Sequence, residues 1–137
     1  MTYREAALRW AQTQVGVHEV GFNNRGPQVD WYQRYGAEYV GWVGFPWCAA
    51  FVMSALRKAG FDVAKIPNRA SVGYMESHAR AAGWLVDRPL RGDVWCWQLD
   101  AGNEWPDHTG FVEKVLSLGP LGWWCTAVEG NRSPGDG

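Results

Sequence analysis

Cys48, His108 and Glu129 are the residues of this chain whose types and order suit covalent chemistry. A cysteine thiolate attacks carbonyl carbon, a histidine takes the proton, and a third group must hold the imidazole in place. Cys48 stands in the stretch Phe45-Pro46-Trp47-Cys48-Ala49-Ala50-Phe51-Val52. Pro46 reads as a helix-entry residue, because its fixed φ and missing N–H suit a first turn. Cys48, Phe51, Val52, Ala55, Leu56 and Ala59 then recur at helical spacing, and Gly60 ends the run. A sulfur at that position meets free N–H groups and the positive end of the helix dipole, which favour a thiolate. By itself the stretch fits a small buried residue equally well.

The chain has three histidines. His18 follows the first helix in a polar stretch, and His78 lies among Glu76, Ser77 and Arg80 on a side read as solvated. His108 is different. It closes the loop Trp105-Pro106-Asp107 and opens the apolar run Thr109-Gly110-Phe111-Val112. An orienting partner should accept the ring N–H, so it should be a carboxylate or an amide. Glu129 ends an otherwise apolar run (Trp123, Trp124, Cys125, Ala127, Val128), and Asn131 follows two residues later. If residues 110–118 and 123–129 are strands joined by the turn Gly119-Pro120-Leu121-Gly122, they are antiparallel, and Glu129 comes beside His108. Asp107 is a rival orienter, although a sequence neighbour more often points away.

The elements that must position these groups read as follows. Thr2 and Glu5 form a capping-box pattern opening a helix with Leu8, Ala11 and Val15 on one face, closed at Gly16. Residues 21–26 are a polar loop. Pro27 starts a short helix through Tyr35, with Val29 and Tyr32 inward and Gly36 at its end. The Cys48 helix follows. A fourth helix spans about residues 72–82, with Val72, Met75, Ala79 and Ala82 on one side. Trp84-Leu85-Val86 reads as a short strand, and Val94-Trp95-Cys96-Trp97, apolar on both faces, as a buried one. Helices first and antiparallel strands second make an α+β layout. Residues 132–137 read as a loop.

Composition excludes several classes of function. With 137 residues, 47% hydrophobic and 20% charged, the chain is expected to form one globular domain. A net charge of −1 argues against binding nucleic acid or a membrane surface through charge. No apolar run approaches a membrane span, and the polar opening Met-Thr-Tyr-Arg-Glu does not read as a signal peptide. Three cysteines without a Cys-x-x-Cys pair do not make a disulfide or zinc framework. Cys96 and Cys125 read as buried thiols in apolar strands, with a disulfide or redox pair as the competing reading. Of the ten tryptophans, Trp42, Trp47 and Trp105 flank the motif segments and are candidates for groove walls; core packing is the alternative for each. Arg88 and Arg91 read as a solvated turn, with substrate carboxylates as the other possibility.

Pro46-Trp47-Cys48-Ala49-Ala50-Phe51-Val52, Arg91-Gly92-Asp93-Val94, His108-Thr109-Gly110-Phe111-Val112 and Val128-Glu129-Gly130-Asn131, taken in order, resemble the CHAP family (cysteine, histidine-dependent amidohydrolase/peptidase). This family lies within the papain-like, NlpC-type peptidoglycan hydrolases, and the resemblance runs from about Val15 to Asn131. It implies N-terminal helices packed on an antiparallel sheet, and one catalytic domain over residues 1–137 with a core at about 15–131, complete or cut from a longer chain. It implies Cys48 as nucleophile, His108 as general base, Glu129 as orienter and Asn131 as auxiliary orienter. An oxyanion site formed partly by backbone at the cysteine helix is implied too.

The expected substrate is bacterial peptidoglycan, cut at an amide bond by an endopeptidase or an N-acetylmuramoyl-L-alanine amidase. The resemblance is to phage endolysins, which implies a monomer reaching the wall through a holin or within a phage particle. Some CHAP enzymes bind calcium through an Asp-rich loop before the cysteine. Here that region reads Gly21-Phe22-Asn23-Asn24-Arg25-Gly26, so neither calcium nor another cofactor is expected. The segment from Gly16 to Tyr32 resembles a subgroup common among phage proteins and is expected to border the substrate groove. Two competing readings are a catalytically silent wall-binding module and an acyltransferase on the same scaffold. The intact Cys48, His108 and Glu129 set weighs against the first.

Overall fold

The computed structural model describes residues 1–21, 23–38, 43–102 and 104–131. Helix α1 spans Tyr3–Thr13, with the Thr2 hydroxyl accepting from the Glu5 N–H at 3.3 Å. Its inner face is Ala7, Leu8 and Ala11. The helix stops earlier than its periodicity predicts, and Val15 is 74% exposed rather than inward. The Gln14 N–H turns back onto the Ala11 and Gln12 carbonyls, and Gly16 at φ +102° sends the chain away before another turn can form.

Helix α2 (Pro27–Tyr35) has the predicted bounds, with Val29 and Tyr32 buried. Asp30 in its first turn accepts two bonds from the Arg25 guanidinium, at 2.9 and 3.0 Å. An acidic group there also suits the helix dipole. Gly36 ends α2 against the next helix. A Cβ on Gly36 would fall on the Ala50 carbonyl oxygen and 2.7 Å from the Ser54 nitrogen, so a bare backbone is what lets the two helices touch.

Helix α3 (Cys48–Lys58) is the centre of the molecule. Its first eight residues, Cys48 to Ala55, are all buried. The burial goes beyond one stripe because α1, α2 and the sheet each pack against this helix. Pro46 lies outside it. Trp47, at φ −109° and ψ 9°, is the N-cap residue, and the first intrahelical bond runs from the Phe51 N–H to the Trp47 carbonyl.

A single 3₁₀ turn (Val63–Lys65) leads to α4 (Val72–Ala81), capped by Ser71 and burying Val72 and Met75. The strand expected at residues 84–86 does not form. The Trp84 N–H instead closes the end of α4 on the Ala79 carbonyl at 2.9 Å, and its ring packs edge-on against Phe61 and His78. That contact also makes His78 half-buried rather than solvated.

The sheet has three antiparallel strands, β1 (Val94–Trp97), β2 (His108–Gly119) and β3 (Gly122–Glu129), in that spatial order. Strand β1 was expected to be buried on both faces, yet Val94 and Trp97 are exposed. It is an edge strand with one neighbour. In β2 only the first five residues, His108 to Val112, are buried, and the distal half is partly or fully exposed. The arrangement is α+β, as the order of elements predicts. No described helix is long and apolar enough to cross a membrane.

Candidate active site

Cys48 is the first residue of α3, and no side chain caps the turn it opens. The first N–H groups of a helix have no intrahelical partner, so those at Cys48 and Ala49 remain available. They act on the sulfur together with the Thr109 N–H from β2. The Cys48 Sγ donates to the Asp107 carbonyl at 3.9 Å. The thiol therefore rests against the backbone on both sides of His108.

His108 opens β2 and is 4% exposed. Its Nε2 lies 3.1 Å from Glu129 Oε2. With Nε2–H donating to the carboxylate, Nδ1 is the basic nitrogen of the ring. The antiparallel pairing of β2 and β3 brings the two residues together in the way the hairpin predicts, but they are not direct partners. Glu129 pairs with Gly110, and on the other side Gly110 pairs with Trp95. A Cβ on Gly110 would stand 2.7 Å from Trp95 Cζ2 and 2.9 Å from Glu129 Cβ. The missing side chain leaves room for Glu129 to cross toward His108 and for the Trp95 ring to lie 5.5 Å from the imidazole.

The rival orienter is used elsewhere. The Asp107 carboxylate accepts from the Leu99 and Asp100 N–H groups at 2.7 and 2.8 Å, which shapes the loop before the histidine. Asn131 follows β3 at φ +59°, and among the described residues no hydrogen bond joins it to His108. His18 is exposed and faces the Gly16 carbonyl.

The electrostatics of Cys48 depart from the helix-dipole expectation. Burial pushes the thiol up to about 11, against the pull of the Ala49, Thr109 and Cys48 N–H groups, and the Asp107 charge adds to the rise. The resting group is therefore a thiol, which would need a base to take its proton before it could act as a nucleophile. Cys96 is also pushed to about 11, chiefly by burial. All three cysteines are free, so the disulfide reading of Cys96 and Cys125 is not realised.

The aromatic candidates separate. Trp47 is 5% exposed, stacks on Tyr32 at 5.6 Å and 20°, and donates from Nε1 to Glu19 Oε1 at 3.0 Å. It is a core residue whose edge reaches a cleft of about 360 Å³ shared with Gln14, Gly16, Val17, Glu129 and Gly130. Gly16 and Val17, from the segment expected to border the substrate groove, line this cleft. Trp105 is 60% exposed and lies over Gly73 of α4. Trp42 lies outside the described residues. Among the described residues, no three His, Cys, Asp or Glu side chains group as a metal site would need.

Sequence reasoning passed over Gly110, Glu19 and Gln33. A lone glycine inside an apolar strand next to a candidate base was the available signal, since it marks a close approach. Glu19 and Gln33 carry no comparable local signal.

The family model of the CHAP domain matches residues 39–131, more than half of the chain. The chain belongs to the CHAP domain family. The matched stretch contains Cys48, His108, Glu129 and Asn131 and all of α3 and the sheet. CHAP membership points to cysteine- and histidine-dependent amidohydrolase or peptidase chemistry on peptidoglycan. No curated protein and no solved structure gives a significant match to the chain.

Proposed function

We propose that this CHAP domain is a peptidoglycan hydrolase that cleaves an amide bond through a Cys48 thioester. The observation that carries the reading is the seating of the Cys48 thiol against the Asp107 carbonyl, beside a His108 that is itself held by Glu129 at 3.1 Å.

His108 Nδ1 takes the thiol proton while Sγ bonds to the amide carbonyl carbon. The tetrahedral oxyanion is stabilised by N–H groups at the start of α3. The C–N bond then breaks, and the imidazolium gives its proton to the leaving amine. Water, deprotonated by His108, attacks the thioester, releasing a carboxylic acid and the free thiol. Glu129 fixes the ring and stabilises the imidazolium in both halves. Asn131 acts as an auxiliary, and the Trp47-edged cleft beside Glu129 receives substrate. The cut is that of an endopeptidase or of an N-acetylmuramoyl-L-alanine amidase. The setting we propose is that of a monomeric phage endolysin reaching the wall through a holin or within a phage particle.

The decisive experiment is turbidity loss of purified cell walls with the wild type beside Cys48→Ala. Clearing by the wild type alone supports the proposal, and equal clearing by both removes Cys48 as nucleophile. Mass spectrometry of the released fragments then assigns the bond.

A further inference from the structure

The N-terminus of α3 combines two features that ordinarily exclude each other. Its N–H groups are uncapped, with tryptophan in place of the usual Ser, Thr, Asp or Asn. A capping side chain would occupy the donors that face the sulfur, so a chemically active terminus is better left without one. An uncapped end lacks the bond that fixes its entry, which lets the first turn fray. Here the entry is held from outside, at two points.

The first point is Gln33 of α2, which is wholly buried. Its Nε2 donates to the Phe45 carbonyl at 2.6 Å and to the Asn24 carbonyl at 3.0 Å. Its Oε1 accepts from the Gly44 N–H at 3.0 Å. One amide thus grips both strands of loop that pass it, and one of them is the approach to Cys48. The second point is Glu19, whose carboxylate holds the Trp47 indole N–H. Trp47 is the N-cap residue itself, so this bond fixes the ring one residue before the nucleophile. The anchor of Gln33 is equally firm. Gly36 and Ser54 lock α2 onto α3, the Ser54 hydroxyl lying 2.8 Å from the Ala50 carbonyl and 3.3 Å from that of Tyr32.

We propose that Gln33 and Glu19 are positioning residues for the nucleophile, replacing a helix cap so that the first N–H groups of α3 stay free for the sulfur and the oxyanion. The inference rests on the hydrolase reading for its kinetic consequence, but not for its effect on the thiol.

The test has a readout that needs no substrate. Iodoacetamide alkylation is followed against pH by mass spectrometry of the peptide carrying Cys48, beside thermal melting and wall hydrolysis. The variants are Glu19→Ala, Glu19→Gln, Gln33→Met and Gln33→Glu. In folded Glu19→Ala and Gln33→Met, misaligned N–H groups should slow alkylation of Cys48 at pH 8 about tenfold, one pH unit of displacement. They should lower kcat by about tenfold or more with KM little changed, as expected for a small misplacement of a reacting group. Glu19→Gln keeps an acceptor for the indole and should restore most of both. Gln33→Glu loses both donors and should behave as Gln33→Met.

Wild-type alkylation and kcat in folded Glu19→Ala would overturn the proposal for Glu19, and in folded Gln33→Met for Gln33. If Gln33→Met does not fold, Glu19→Ala and its rescue by Glu19→Gln decide. Failure of the hydrolase reading shows separately, as unchanged wall hydrolysis in Cys48→Ala.

Discussion

Glu129 reaches His108 across Gly110, its direct partner in the sheet, and the 3.1 Å contact between carboxylate and imidazole occupies space that any side chain at 110 would fill. Gly110→Ala should therefore act on the site before it acts on the fold as a whole. Its Cβ would press on Trp95, on Glu129 and on the Val128 carbonyl at 2.7 Å, and the last of these is backbone. We expect a stability loss of about 1–3 kcal/mol. Hydrolysis should fall by about a hundredfold or more as the imidazole loses its hold. Melting curves and kcat, measured together, check this; a folded variant with unaltered kcat would count against the geometry.

Glu129→Gln separates orientation from charge. The amide oxygen can still accept the ring N–H, but the imidazolium loses its counter-charge, and the amide can also turn its NH₂ toward the ring. A misoriented catalytic histidine costs up to about 10⁴ in rate. We expect kcat to fall by about a hundredfold or more with KM within about twofold. A parallel rise in KM would instead assign Glu129 to substrate binding.

Cys48 also ties stability to alkaline pH. Its ordinary value of 9.0 is raised to about 11 by burial, so the folded protein holds a proton that the unfolded chain releases first. The stabilisation is fully present below about pH 9 and is lost as pH rises through about 11. The rise from 9.0 to about 11 corresponds to about 3 kcal/mol at most. Denaturant titrations between pH 8 and 11 should show a shallower decline in Cys48→Ala than in the wild type. Identical slopes would mean the thiol is not buried in this way.

Gly36→Ala tests the contact that docks α2 on α3. The new Cβ meets the Ala50 carbonyl and the Ser54 backbone, neither of which can move without bending α3. A loss of about 3 kcal/mol, roughly 10 °C in Tm for a chain of this size, is expected. Calorimetry on the purified variant measures it, and a Tm within a degree or two of wild type would show that the helices are not this close.

Much of this protein is local, and the local part was legible in its sequence. Thr2 caps α1 because its hydroxyl reaches the N–H group three residues on, and Pro27 opens α2 for an equally local reason. The hairpin from His108 to Glu129 follows from two apolar runs and a glycine-bounded turn, and antiparallel pairing then brings the His108 imidazole to the Glu129 carboxylate. The order of the Cys48, His108 and Glu129 segments carries the family. Tertiary structure decided whatever depends on elements distant in the chain. It left Val15 and residues 84–86 outside the core, made β1 an edge, and drew Trp47 into the aromatic cluster. It also turned an expected thiolate into a buried thiol. The helix dipole is a property of the segment, whereas the desolvation that outweighs it comes from the packing around Cys48. Gln33 and Glu19 belong to the same class, because a side chain's grip on a backbone carbonyl or an indole N–H 9 to 28 residues away exists only once the chain has folded.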